Sequence, residues 1–260
     1  MNVILSGGGM KGAYQYGFFK KVQEIEPNFQ IKKLYAVSVG SLNAVPILLK
    51  KVDLLDKHWS HPELLPFDTI VNDWPTVKST NANYRNIQRL RAFIKNGSIF
   101  HSLNLKPCMD VLNNLTMEEM IILRQKLIIM SYDTQDQRVV FERCRSPLKT
   151  VAAIKNASLF PGLFTVDGHI IDGVNIDLNT VIEKGKPDDQ WLCLDLQGYV
   201  KKNSRLCYNP RKGKTYVYSP RVVENAPLNV LSCVIASREQ LDDLIDQGQN
   251  DALDFIKNLN

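Results

Sequence analysis

Three short segments of this sequence carry residue types in a spacing suited to acyl chemistry. Ser38 stands in Ala36-Val37-Ser38-Val39-Gly40, with small residues two places before and two places after it. That pattern suits a sharp strand-to-helix turn, because larger flanking side chains would strike the following helix or the neighbouring strand. The usual elbow has glycine at both flanks, and Ala36 departs from it by one methyl group. Taken alone, Ser38 also fits an ordinary helix N-cap. The second segment is Ser6-Gly7-Gly8-Gly9-Met10-Lys11-Gly12. Without Cβ atoms its backbone N–H groups can turn toward an anion at a helix N-terminus, where the dipole favours negative charge. The third is Asp172-Gly173, at the end of the short apolar stretch Ile170-Ile171. It reads as a local turn, or as a carboxylate able to deprotonate a serine that shares its partly desolvated pocket.

The glycine loop admits other readings. It can be a plain tight turn. Gly7-x-Gly9-x-x-Gly12 satisfies the dinucleotide fingerprint, which also wants an acid at the end of the second strand. That strand ends Ala36-Val37-Ser38, without one. A nucleotide-triphosphate loop would need lysine at position 13, where Ala13 stands. An oxyanion hole uses the same geometry for a developing alkoxide and remains. The histidines are His58, His61, His101 and His169. The first three fall in an irregular stretch or at a loop–helix junction and read as surface residues. His169 alone lies near a candidate, three places before Asp172.

The elements that must hold these residues follow α/β grammar. Val3-Ile4-Leu5 is a buried-type strand running into the glycine loop, and residues 13–25 read as a helix closed by Pro27. Residues 34–37 form a second strand. The helix after Ser38 is expected to run to about Leu55, with a kink at Pro46. Residues 83–95 read as a helix, and Thr116 with Glu119 makes a capping box for another. Paired strands are expected over 126–132 and 138–142, around the turn Asp133-Thr134-Gln135-Asp136. Ser146-Pro147 starts a helix running to about Asn156. A strand covers 191–196, and a last helix, capped by Ser237 and Gln240, presents Leu241, Leu244, Ile245, Ala252, Phe255, Ile256 and Leu259 on one face. No repeat or linker interrupts the pattern, so one domain is expected.

Composition narrows the class. The chain has 260 residues, 44% apolar and 23% charged, which excludes collagen, coiled coil and disorder. Five cysteines, an odd number without any Cys-x-x-Cys, argue for reduced thiols in an intracellular setting. The net charge of +5 suits anionic surfaces such as membranes and is too diffuse to argue nucleic acid. No signal segment is visible, and no run of about 20 apolar residues is present to span a bilayer. Trp59, Phe67 and Trp74 read either as a lid or interfacial contact or as core. Arg85, Arg89, Arg91 and Lys95 give the next helix a positive face, membrane-directed or simply solvated.

Gly7 to Gly12, Ser38 in its elbow and Asp172-Gly173 together resemble the patatin-like phospholipases. That family's pattern is a glycine-rich oxyanion loop, a G-x-S-x-G serine and an Asp-Gly aspartate, with no histidine. The likeness extends to Val45 after the elbow, to residues 157–164 before the aspartate and to residues 248–255 of the closing helix. Val174 stands where the family usually has Gly or Ala. The resemblance implies a three-layer α/β/α fold with a mostly parallel central sheet, as a single domain over residues 1–260. It implies a lipid acyl hydrolase of phospholipase A or lysophospholipase type. In that mechanism Asp172 takes the Ser38 proton and Ser38 attacks the ester carbonyl. The N–H groups of Gly7, Gly8 and Gly9 hold the oxyanion, and water then releases the fatty acid. Lys11, Gly12, Ala36, Gly40 and Gly173 support these motifs. The dyad needs no metal and no cofactor. The partners implied are a phospholipid or other acyl lipid and a peripheral membrane surface, with no nucleic acid and a cytoplasmic location. A catalytically weak relative that holds acyl lipids or sits on membranes is the competing expectation. A nucleotide-binding α/β protein, resting on the glycine loop alone, is a third.

Overall fold

A computed structural model describes residues 1–60, 105–161, 166, 168–173, 176–196, 214–221 and 238–259. The expected helix over 83–95 and its arginines lie outside these residues, as do Phe67, Trp74, Val174 and Ser237.

The first half alternates strand and helix. Strand β1 (Asn2–Leu5) leads through a 3-10 turn (Gly9–Lys11) into α1 (Gly12–Ile25), and β2 (Lys33–Ala36) leads into α2 (Val39–Leu48). After a 3-10 turn (Val52–Leu55) come α3 (Asp56–Ser60), α4 (Lys106–Asn113), α5 (Met117–Lys126), β3 (Leu127–Asp133) and β4 (Arg138–Arg143). The rest is α6 (Pro147–Ser158), β5 (Ile170–Asp172), α7 (Leu178–Ile182), β6 (Trp191–Leu194), β7 (Thr215–Tyr218) and α8 (Arg238–Leu259).

One sheet runs β4-β3-β2-β1-β6-β7, with β5 added on β3. β1, β2, β3, β6 and β7 are mutually parallel, while β4 and β5 are antiparallel to β3. The sheet is therefore mixed, and its centre is parallel. Strand side chains alternate between faces. Val3, Leu5, Leu34, Ala36, Ile129 and Leu192 join one cluster with α1, α2, α6 and α8. Ile4, Tyr35, Val37, Ile128, Met130 and Trp191 join a second with α7. Helices thus cover both faces, giving three layers.

Two expectations are corrected by the backbone. The helix after Ser38 does not run to Leu55; it stops at Leu48. Lys50 takes φ +57°, its amide donates to the Ile47 carbonyl and the Lys51 amide to the Pro46 carbonyl. This is the reciprocal closure that usually needs glycine, here made by a lysine whose ammonium is held by the Pro27 carbonyl at 2.7 Å. The strand expected over 191–196 ends at Leu194, and Asp195 and Leu196 turn toward the glycine loop. The capping box of Thr116 and Glu119, the Ser146-Pro147 helix start and the turn after Asp133 are present as expected.

The last helix crosses α1 at very short range. A Cβ on Gly17 would lie 2.2 Å from the Ile245 carbonyl oxygen, and one on Gly248 would lie 2.2 Å from that of Tyr14. Only glycine permits this approach, and it brings the Tyr14 hydroxyl to Asp251 at 2.5 Å.

Candidate active site

Ser38 lies between β2 and α2 with φ +55° and ψ −132°, a backbone state that a residue with a side chain rarely takes. Such a state costs about 1–3 kcal/mol and persists only where its surroundings fix it. Here they do. The Ser38 amide donates to the Ala157 carbonyl at 2.9 Å. The Ser38 carbonyl accepts the Ser41 amide at 2.9 Å, the Ser41 hydroxyl at 2.5 Å and the Ser158 hydroxyl at 3.3 Å. The small flanks are explained by packing. A Cβ on Gly40 would lie 2.5 Å from the Leu5 carbonyl oxygen. Ala36 is fully buried inside the strand, paired with Leu5 on one side and Ile129 on the other, and its methyl is accommodated there.

Asp172 reaches the elbow through strand order. One edge of β3 pairs with β4 over Ile128 to Asp133. The other edge is shared: β2 takes Leu127, Ile128 and Ile129, and β5 takes Ser131, Tyr132 and Asp133. Because β5 runs antiparallel to β3, its last residue, Asp172, points back toward the end of β2. Ala36 stands opposite Ile129 and Asp172 opposite Ser131. Two residues of strand separate them, about 7 Å. The end of α6 binds both sides of this junction. Its Ala157 carbonyl holds Ser38, and the next-but-one carbonyl, Leu159, accepts the Asp172 amide at 3.1 Å. Gly173 backs onto Val37, with the position of an added Cβ 3.1 Å from Val37 Cγ2. Ser38 is 8% exposed and Asp172 5%.

The glycine loop lies beside this junction, at the C-terminal ends of β1 and β6. Chain order departs in opposite directions from β1 here, the place where open α/β sheets leave a crevice. Gly12 sits against the residue after the serine, with an added Cβ 2.5 Å from Val39 Cγ2. Gly9 takes φ +56°. Gly8 lies against Leu196, whose side chain an added Cβ would meet at 2.6 Å. The Leu196 amide donates to the Ser6 hydroxyl at 2.7 Å, and Lys11 Nζ donates to the Leu196 carbonyl at 3.3 Å. The loop thus meets the residue after the serine at its Gly12 end and the turn after β6 at Gly8.

His169 does not turn to Asp172. Its Nε2 lies 3.7 Å from Asp133, whose carboxyl is held below the usual range chiefly by the Asp136 amide. His58 is not on the surface: it is half-buried on α3, edge-on to Trp59, and burial pushes its imidazole down to about 4. Trp59 is fully buried, which excludes it as an interfacial contact. Cys108 and Cys144 are free thiols. Among the described residues, no cluster of His, Cys, Asp or Glu could hold a metal, and no helix is long and apolar enough to cross a membrane. Sequence reading missed Ser41, Ser158, Gln15 and Asn43. Ser41, Gln15 and Asn43 are polar residues inside helix patterns and Ser158 lies just past one, and only their burial marks them.

Against known proteins, the family model Patatin-like phospholipase matches residues 3–181. No curated protein sequence matches the chain. Among solved structures, the heterodimeric ExoU–SpcU complex of the Pseudomonas aeruginosa type III secretion system is similar with a TM-score of 0.42 and 18% identity. That match covers 98% of this chain and 52% of the other, so this chain spans about half its length. VipD from Legionella pneumophila is similar with a TM-score of 0.36 and 12% identity, covering 95% of this chain and 67% of that one. At TM-scores below 0.5 these likenesses add nothing to the assignment, which rests on the match over residues 3–181, more than half of the 260 present. The chain belongs to the patatin-like phospholipase family.

Proposed function

We propose that this protein is a lipid acyl hydrolase of phospholipase A or lysophospholipase type, working through a Ser38–Asp172 dyad. Asp172 takes the hydroxyl proton, Ser38 attacks the ester carbonyl, and the backbone N–H groups of Gly7, Gly8 and Gly9 stabilise the oxyanion. Collapse of that intermediate, with Asp172 returning the proton to the leaving oxygen, expels the lysolipid or glycerophosphodiester alcohol and leaves an acyl-serine and an Asp172 carboxylate. Water, with Asp172 again as base, then releases the fatty acid. Each well-placed N–H lowers the barrier by about 3 kcal/mol.

The observation that supports this reading is the meeting of β2 and β5 on one edge of β3, with Asp172 at the end of one and the strained Ser38 following the other. Strain of this kind exposes a nucleophile where a following helix would otherwise bury it. The reading includes a peripheral membrane surface as the source of substrate. It also takes residues beyond 181 into the same domain, because α8 packs on α1 and β6 pairs with β1.

Fatty-acid release from mixed phospholipid and lysophospholipid micelles tests it, with wild type, Ser38→Ala and Asp172→Asn compared and folding checked by circular dichroism. Release by wild type and silence of both folded variants is expected. Equal release by Asp172→Asn overturns the dyad. Silence of wild type with vesicle binding retained replaces the enzyme by a lipid-holding relative.

A further inference from the structure

The interior of the molecule holds a chain of buried amides that the reaction above does not use. Gln15, Asn43 and Trp59 are all fully buried. Trp59 Nε1 lies 3.1 Å from Asn43 Oδ1. Asn43 Nδ2 lies 3.0 Å from the Gly12 carbonyl oxygen and 3.2 Å from Gln15 Oε1. Gln15 Nε2 lies 2.9 Å from the Ser6 carbonyl oxygen.

The direction of every bond in this chain is fixed by chemistry. An indole N–H only donates and a peptide carbonyl only accepts. Asn43 must therefore turn its oxygen to Trp59 and its nitrogen to Gly12. That nitrogen also faces Gln15, which must answer with its oxygen and so present its own nitrogen to Ser6. Flipping either amide would set donor against donor or acceptor against acceptor in a dry interior, where an unmet polar group is expensive.

The two ends of the network are the two ends of the glycine loop, Ser6 and Gly12. We infer that Gln15 and Asn43 are positioning residues that set the direction of the loop's amides. The peptide unit is planar and trans, so its carbonyl and its N–H point opposite ways. Gln15 draws the Ser6 carbonyl toward α1, and the Gly7 N–H of that same unit is thereby turned away from α1. Asn43 holds the Gly12 carbonyl, where the loop enters α1, and fixes the Gln15 amide through its oxygen; it stands on α2, the helix that Ser38 opens. One side chain thus couples the nucleophile's helix to the oxyanion loop, and Trp59 anchors it from α3. This inference rests on the proposed role of the glycine loop.

Gln15→Met keeps the length of the side chain and removes both polar atoms. Steady-state fatty-acid release is measured for wild type, Gln15→Met, Ser38→Ala and Asp172→Asn, with melting followed for each. For a folded Gln15→Met, kcat is expected to fall by about 10- to 100-fold, somewhat less than for outright loss of an oxyanion donor, with KM within about twofold. A folded Gln15→Met with wild-type kcat overturns the inference, as does a loss confined to KM. If Gln15→Met does not fold, Trp59→Phe takes its place. It removes only the distant donor, and a severalfold fall in kcat at constant KM is expected, against unchanged kcat if the network is merely structural. Failure of the dyad reading shows separately, as activity retained in Ser38→Ala or Asp172→Asn.

Discussion

Ser158 and Ser38 are joined across the core: the Ser158 hydroxyl donates to the Ser38 carbonyl oxygen at 3.3 Å, beside the Ser41 hydroxyl that reaches the same atom. The elbow is thus held from two helices, α2 and α6. Removing both hydroxyls, as Ser41→Ala with Ser158→Ala, leaves the carbonyl its Ser41 amide alone. A loss of about 1–2 kcal/mol in urea unfolding is expected, since each net hydrogen bond contributes about 1 kcal/mol. Fatty-acid release should fall severalfold in the same variant, because the strained backbone of Ser38 is then less firmly fixed.

Gly40 and Ala36 flank that serine, and activity should respond to a change at only one of them. Gly40→Ala places a methyl 2.5 Å from the Leu5 carbonyl, a backbone atom of the central strand. A destabilisation of about 3 kcal/mol is expected, at the upper end for overpacking, with activity lost at the same time. Ala36→Gly restores the family's usual residue, yet it removes a buried methyl and loosens a strand. It should lower stability by about 1–2 kcal/mol and leave kcat within about twofold. A large gain in kcat would show that the methyl strains the elbow.

His58 sets a pH dependence of stability. Burial holds its imidazole down at about 4, against an ordinary value of 6.5. The unfolded chain therefore binds more protons than the folded one between those two values, so stability falls as pH drops through that window and levels below it. The full loss amounts to about 3 kcal/mol. Urea midpoints from pH 7 to pH 4 check this, and His58→Gln should flatten the profile over that range.

Gly248→Ala tests the crossing of the last helix with the first. The added methyl would lie 2.2 Å from the Tyr14 carbonyl and 2.8 Å from the Phe18 amide, both backbone atoms that cannot turn aside. The helices must separate, loosening the Tyr14–Asp251 bond and the contact of Phe18 with Phe255. A fall in melting temperature of several degrees is expected, corresponding to about 2–3 kcal/mol.

What was legible in the sequence was what short range determines. The β1–glycine loop–α1 and β2–elbow–α2 units follow from apolar runs broken by small residues, and the Thr116 and Ser146 caps from their own local chemistry. What was not legible depends on distant partners. Lys50 ends α2 in a left-handed turn without the glycine that would have announced it. Trp59 reads from sequence more as core than as lid, and full burial with its indole on Asn43 decides for core. The placing of Asp172 depends on a three-residue strand whose direction is set only by its pairing with β3. The motif named the residue; its neighbourhood came from topology.

That pairing has a consequence for how the molecule folds. β1 must join β2 and also β6, whose pairing residues come after nearly all the strands, and α1 is covered by a helix bonded to it from 237 positions away, Tyr14 to Asp251. Contacts of such separation form late and slowly, because the loops they close lose their freedom before the contact stabilises anything. The serine and aspartate, themselves 134 positions apart, come together only when β5 pairs with β3. A nascent or truncated chain, lacking α8, would carry the right motifs and an open apolar face on α1, prone to association.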